Sequence, residues 1–197
     1  MKLDFPPPAD GWHEYCVACQ AETVDRGSEN GREHFDCHTC GHRDERRIII
    51  DPAVTWWTAP DGEYWHETAG VFVRDAGRFL FFERTMFPVA ALTVPAGHVD
   101  TGESPEPAAR RELHEETGLR APHLEHLTTE DITGDSCRRG SDAHRWYAYA
   151  TDFDPTQEVR LNEEGVNAQW LTLSEALTRD LTHPVRHLIE HYRNDLE

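Results

Sequence analysis

Three glutamates, Glu112, Glu115 and Glu116, stand close together in a stretch that opens at Ser104-Pro105 and closes at Gly118. Serine ahead of proline is a helix start and glycine a helix stop, so the spacing predicts one helix from Pro105 to about Thr117. At 3.6 residues per turn the three glutamates fall within about 100° of its circumference. They lie beside the apolar stripe of Ala109 and Leu113, while Pro107, Arg110 and His114 point the other way. That arrangement puts the carboxylates at the core-ward edge of the helix, not on a solvated face. Carboxylates gathered near a core repel one another and need cations. Hard divalent ions, Mg²⁺ or Mn²⁺, take oxygen ligands of this kind. Any fold of this chain therefore has to bring that helix edge to a cleft. Upstream, Pro95-Ala96-Gly97 ends a strand and lets backbone approach a metal or substrate. Arg111 is placed to orient Glu112 or to pair with Glu103, a plain salt bridge being the simpler alternative.

The chain has 197 residues, enough for one medium domain plus something small, or for two modest domains. No stretch approaches the 18 or so consecutive apolar residues of a membrane span. The opening Met-Lys-Leu-Asp-Phe-Pro-Pro-Pro lacks the apolar segment of a secretory signal, so a cytoplasmic location is expected. Lysine and arginine number 19 against 37 acidic residues, a formal charge of −18. Such a surface repels phosphate backbones and argues against nucleic acid as a partner. Lys2 is the one lysine; a salt-loving host and a GC-rich genome explain that bias equally well.

Of the five cysteines, four form two Cys-x-x-Cys pairs, Cys16/Cys19 and Cys37/Cys40, separated by 17 residues. Two knuckles at that spacing bring four thiolates around one zinc ion, and a metal-free quartet is the alternative. A module this small cannot build a self-sufficient apolar core, so the metal supplies folding energy. Four cysteines complete the shell without His34, His38 or His42, which makes the site structural. Cys137 reads as an unpaired loop thiol.

These features divide the chain into a flexible leader (1–13), a zinc ribbon (14–47), an aromatic-rich connector (48–66) and the main domain (67–197). Strands are expected at Ile48–Ile50, Thr68–Val73, Arg78–Glu83, Ala90–Val94, Trp146–Ala150 and Gln169–Leu171, with hairpin turns at Asp61-Gly62 and Asp75-Ala76-Gly77. A last helix starts at Pro184, with Val185, Leu188, Ile189 and Tyr192 as its apolar stripe. Trp56, Trp57, Tyr64 and Trp65 are too many large rings for an exposed connector. They are expected to bury against the main domain or a second subunit, and a homodimer through residues 14–66 is the expectation. Trp56, Trp57 and Tyr64 are also candidates for stacking on a base.

The run Gly97, five residues, Glu103, seven residues, Arg111-Glu112-Leu113-x-Glu115-Glu116-x-Gly118-Leu119 resembles the box of the Nudix hydrolases at every fixed position. Coincidence at ordinary residue frequencies is on the order of once in 10^10 windows. Glu163-Glu164-Gly165 ahead of Trp170 also fits, and the resemblance covers roughly residues 67–175. It implies an α/β fold, an α/β/α sandwich with a mixed sheet preceded by the zinc ribbon. It also implies water attack on a phosphoanhydride assisted by divalent ions. Carried over residue by residue, Glu112, Glu115 and Glu116 hold Mg²⁺ or Mn²⁺, and the Ala96 or Gly97 carbonyl is a further candidate ligand. Glu115 or Glu112 is the first choice for general base and Glu164 the second. Arg84, at a strand end, is a candidate phosphate contact, with Arg138, Arg139 and Arg145 weaker ones.

A zinc ribbon before such a domain resembles the NADH pyrophosphatases, but no Ser-Gln-Pro-Trp-Trp-type motif follows the box. Gly134 stands where ADP-ribose pyrophosphatases carry a marker proline. The expected function is hydrolysis of a nucleoside-diphosphate-linked small molecule. A catalytically silent nucleotide sensor with a regulatory zinc module is the alternative, although a sensor does not need three metal-binding carboxylates. A nucleic-acid-binding ribbon, favoured only by Trp56-Trp57, is opposed by the net charge.

Overall fold

In a computed structural model that describes residues 1–8, 10–29 and 31–197, the chain runs through thirteen strands and three helices. In order they are β1 (His13–Tyr15), β2 (Val24–Glu29), β3 (Arg32–Cys37), β4 (Arg43–Asp44), β5 (Ile48–Ile50), β6 (Trp56–Thr58) and β7 (Tyr64–Asp75). There follow β8 (Arg78–Arg84), β9 (Leu92–Thr93), β10 (Ala96–His98), α1 (Pro105–Thr117), β11 (Glu125–Thr133) and β12 (Ala143–Asp152). The chain closes with β13 (Gly165–Leu171), α2 (Leu173–Leu177) and α3 (His183–Leu196).

Among the described residues, eight strands form one mixed sheet along the path β11-β12-β7-β8-β13, with β6 and β10 also pairing β7 and β9 pairing β8. The pairing of β12 with β7 is parallel and the rest antiparallel. Successive side chains of a strand point to opposite faces, and the sequence uses both. Ala69, Val71, Val73 and Leu80 meet Ala108, Ala109 and Leu113 of α1 on one face. Phe72, Phe79 and Phe81 meet Leu173 of α2 and Val185, Leu188 and Ile189 of α3 on the other. Burial of each such side chain stabilises by about 1.5–3 kcal/mol, and together they fix the α/β/α layering.

The expected strand at Ala90–Val94 shortens to Leu92–Thr93, since Ala90 takes a left-handed φ of 66° that extended pairing does not accommodate. Helix α1 begins after Ser104 as expected, but the Ser104 side chain makes no capping hydrogen bond. No helix is long and apolar enough to cross a membrane among the described residues.

The leader, expected to be loosely ordered, docks instead. Lys2 bridges to Glu63, and Met1, Leu3 and Phe5 pack on a third core of Tyr15, Ile48, Ile50 and Tyr64. The aromatic connector is absorbed within the chain. Tyr64 is fully buried, Trp56 packs beside it with ring centroids 5.9 Å apart, and Trp57 stacks on Trp65 at 5.6 Å. The described large apolar side chains left exposed are Trp12 and Val166. Trp56, Trp57 and Trp65 remain half-buried.

Candidate active site

Helix α1 lies across β7 and β10, which brings its acidic edge to the loop leaving the sheet at Pro95. There a cleft of about 520 Å³ opens, lined among others by Arg84, Ala96, Gly97, Glu112, Glu115, Glu116, Arg138 and Glu164. Glu116 is buried and accepts a hydrogen bond from the Ala96 amide (2.8 Å). Glu112 is nearly as enclosed and presses onto Gly97 so closely that a Cβ there would lie 2.2 Å from its carboxyl carbon. Only glycine permits that approach.

The expectation that all three glutamates face the core needs one correction: the Glu115 side chain is 55% exposed. At about 100° per residue, Glu116 sits nearest the Ala109–Leu113 stripe, Glu112 next, and Glu115 on the far flank of the arc.

Arg111 reaches across this edge. It donates to Glu103 (2.9 Å), to the His98 carbonyl (3.0 Å), to Glu112 and, at 3.4 Å, to Glu115. Arg111 thus contacts both Glu112 and Glu103, the two partners expected for it. That bond from Arg111 pulls Glu103 below the ordinary carboxylate range, and Glu103 in turn accepts from the Asp100 amide. Glu103 does not line the cleft; it holds Arg111 in place.

Burial acts the other way on the remaining pair. It pushes Glu112 up to about 7 despite Arg111, and Glu116 up to about 8 despite the Ala96 amide. Two enclosed carboxyls that resist ionisation mark a place where positive charge is wanted. The donors are all hard oxygens, so the residues fit Mg²⁺ or Mn²⁺.

Arg84 ends β8 at the cleft, its Nε buried without a hydrogen-bond partner. Arg138 lies 3.7 Å from Glu164, and Arg139 pairs with Asp51 (2.7 Å). Arg145 is occupied elsewhere, bonded to Asp131 and set over the Trp57 ring. Trp56 does not line the cleft; β6 turns it into the third core, so it is not placed to stack on a base.

Sequence reasoning missed part of the wall. Asp135, Ser136 and Cys137 from the β11–β12 connection, with His98 and His144, also line the cleft. They come from distant segments and carry no motif, so only the sheet pairing reveals them. Cys137, expected as an isolated loop thiol, lies 3.7 Å from His66 Nδ1.

Away from the cleft, Cys16, Cys19, Cys37 and Cys40 converge so that their sulfurs all lie within 4.8 Å of one another. Cys16–Cys40 and Cys19–Cys37 are 3.8 Å and 3.6 Å apart. A zinc–sulfur tetrahedron with bonds of about 2.3 Å has edges of about 3.8 Å, so the quartet fits zinc.

The layered mixed sheet sets a glutamate-bearing helix against a loop at its edge, an α/β/α fold with a cleft suited to divalent ions. Residues 65–192 match the NUDIX domain family, and the chain belongs to that family. Among curated relatives it is 36% identical over 86 residues to the asymmetrical bis(5'-nucleosyl)-tetraphosphatase of Rattus norvegicus, covering 43% of this chain and 57% of that protein. It is 30% identical over 106 residues to the NAD-capped RNA hydrolase NudC of Escherichia coli O157:H7, covering 50% of this chain and 39% of the relative. The matched segments thus span little more than half of these relatives, or less. Among solved structures, the MutT protein of Methanosarcina mazei Go1 superposes with a TM-score of 0.57 at 18% identity, over 66% of this chain and 94% of that one. A Caenorhabditis elegans Ap4A hydrolase complex gives 0.53 at 24%, over 66% and 97%. These likenesses show the fold.

Proposed function

We propose that this protein hydrolyses the phosphoanhydride of a nucleoside-diphosphate-linked small molecule, with Mg²⁺ or Mn²⁺ held by Glu112, Glu115 and Glu116 and by the Ala96 or Gly97 carbonyl. The observation that carries the reading is the enclosure of Glu112 and Glu116, one helical turn apart, in a cleft that also presents Arg84. When bound, the divalent ions polarise phosphoryl oxygens and lower the pKa of the attacking water.

The chain's own groups do the rest. Arg84, its Nε without a partner, is available to a phosphate. Arg111 fixes the orientation of Glu112 and Glu115. Glu112 and Glu116 are already engaged by Arg111 and the Ala96 amide, which suits ligands. Glu115 and Glu164 are less enclosed carboxylates at the cleft, and one of them takes the proton from water. The box favours Glu115 or Glu112 as that base; with Glu112 engaged by Arg111, Glu115 is the first choice, through the carboxylate oxygen not given to the ion, and Glu164 the second. The cysteine quartet holds a structural zinc that supports the ribbon.

The names of two relatives, one acting on dinucleoside tetraphosphates and one on NAD-capped RNA, favour a dinucleotide joined by a phosphoanhydride bridge. A panel of NADH, ADP-ribose, dinucleoside polyphosphates, sugar nucleotides and nucleoside triphosphates, each with Mg²⁺ and with Mn²⁺, tests the proposal. Turnover of a dinucleotide that releases a nucleoside monophosphate is the expected result. Nucleotide binding without turnover anywhere on the panel would overturn it in favour of a sensor.

A further inference from the structure

His66, His98, Cys137 and His144 come from four separate places in the chain, yet each offers one ligand atom within 4.8 Å of the other three. The sheet makes the meeting. His144 of β12 pairs in register with His66 of β7, and His98 of β10 pairs with Thr68, two residues along β7 and so on the same face as His66. Cys137 arrives from the β11–β12 connection. That loop is tied to the ribbon's stem: Ile49 donates to the Arg139 carbonyl (3.0 Å) and Arg46 to the Cys137 carbonyl (2.9 Å). Gly140 lets the two backbones touch, since a Cβ there would lie 2.7 Å from Ile48 Cα.

The hydrogen bonds fix which atom His66 turns inward. Tyr64 spends its single hydroxyl proton on the Ile49 carbonyl (2.6 Å). It can therefore only accept from His66 Nε2, 2.8 Å away. Neutral His66 then carries its proton on Nε2 and directs the bare Nδ1 lone pair at Cys137 Sγ, 3.7 Å distant. An imidazole whose outer N–H is held by a second group is the arrangement found around metal-bound histidines. His66 and His144 are 1% and 2% exposed. His98 Nε2 and His144 Nδ1 are buried with no hydrogen-bond partner, although Asp135 lies 3.1 Å from the latter, off the bonding direction. Leaving His98 Nε2 unsatisfied costs roughly 1–3 kcal/mol, a penalty that coordination removes.

We propose that His66, His98, Cys137 and His144 form a second, structural transition-metal site, of the zinc type, which clamps the wall of the catalytic cleft. One thiolate and three imidazoles select zinc or a similarly borderline ion over the harder Mg²⁺ and Mn²⁺, which favour oxygen donors. Four protein ligands close the shell, so the ion holds structure and does not activate water. The clamp joins β7, β10 and β12 to the loop bearing Arg138. His98 adjoins Gly97, on which Glu112 rests. The ion thereby links the ribbon-side wall of the cleft to the backbone beneath the catalytic carboxylates.

The test is the zinc content and zinc-edge X-ray absorption of the full chain, produced with zinc in the medium. Two equivalents per chain are expected, with five sulfur and three imidazole nitrogen ligands shared between the two ions, and Cys137→Ala should reduce the content by one. If that variant misfolds, the ligand shell of the unaltered protein decides alone. One equivalent with three nitrogens and one sulfur would uphold this site and remove the zinc from the ribbon. One equivalent surrounded by sulfur only, no zinc at all, or two equivalents retained in folded Cys137→Ala would overturn the proposal.

Discussion

Replacing Glu116 by glutamine should make the protein more stable and nearly inactive at once. Glu116 is 4% exposed, and burial pushes its carboxyl from the ordinary 4.5 up to about 8. That displacement corresponds to a penalty on the folded, ionised state of roughly 5 kcal/mol. The folded chain binds this proton more tightly than the unfolded chain does. The associated stability is therefore fully present below pH 4.5 and lost as pH rises through about 8. Glutamine keeps an oxygen for the Ala96 amide and has no charge to bury. Its own NH₂ needs an acceptor, at a cost of about 1–3 kcal/mol, so a net gain on the order of 2 kcal/mol remains at pH 9 without metal. Chemical denaturation with a chelator from pH 5 to 9 should give a shallower decline for Glu116→Gln, with Glu112 still contributing its own slope. Added Mg²⁺ should stabilise the unaltered protein strongly and the variant weakly. Loss of one ligand charge should lower kcat by about 100-fold or more. A variant that is less stable at pH 9 without metal, or that keeps more than about a tenth of kcat at saturating Mg²⁺, would refute the reasoning.

Two further outcomes follow from the same contacts. Gly97→Ala places a Cβ 2.2 Å from the Glu112 carboxyl carbon, so the flexible side chain must swing away. Stability should change by about 1 kcal/mol or less while kcat drops at least tenfold and the Mg²⁺ requirement rises; an unchanged metal titration would mean that Glu112 is not a ligand. Removing zinc with a chelator should expose amides of residues 14–47 to hydrogen exchange first, because four cysteines carry that module; uniform protection after stripping would show a ribbon stable without its metal.

The box was legible because its chemistry is local. One helix, at a fixed angle per residue, carries Glu112, Glu115 and Glu116 together with its own start at Ser104-Pro105 and stop at Gly118, and nothing distant is needed to align them. The cysteine knuckles are legible for the same reason, each pair being set by a two-residue spacer. Continuous apolar runs, such as Thr68–Val73, buried on both faces of the sheet, were also readable. The edge strand β11 was not, since most of its residues are polar and only Ile132 among them is buried.

What the sequence could not decide were the matters settled by long-range pairing. The arc of glutamates says nothing of how deeply each one sinks, and it was the packing of α1 on β7 that buried Glu116 and left Glu115 in solvent. The packing of Trp56 on Tyr64 was equally beyond the sequence, because it depends on the pairing of β6 with β7. His66, His98, Cys137 and His144 are unremarkable one by one, separated by 31, 38 and 6 intervening residues. They become a cluster only when β10 and β12 take their register against β7, because register decides which distant side chains share a face.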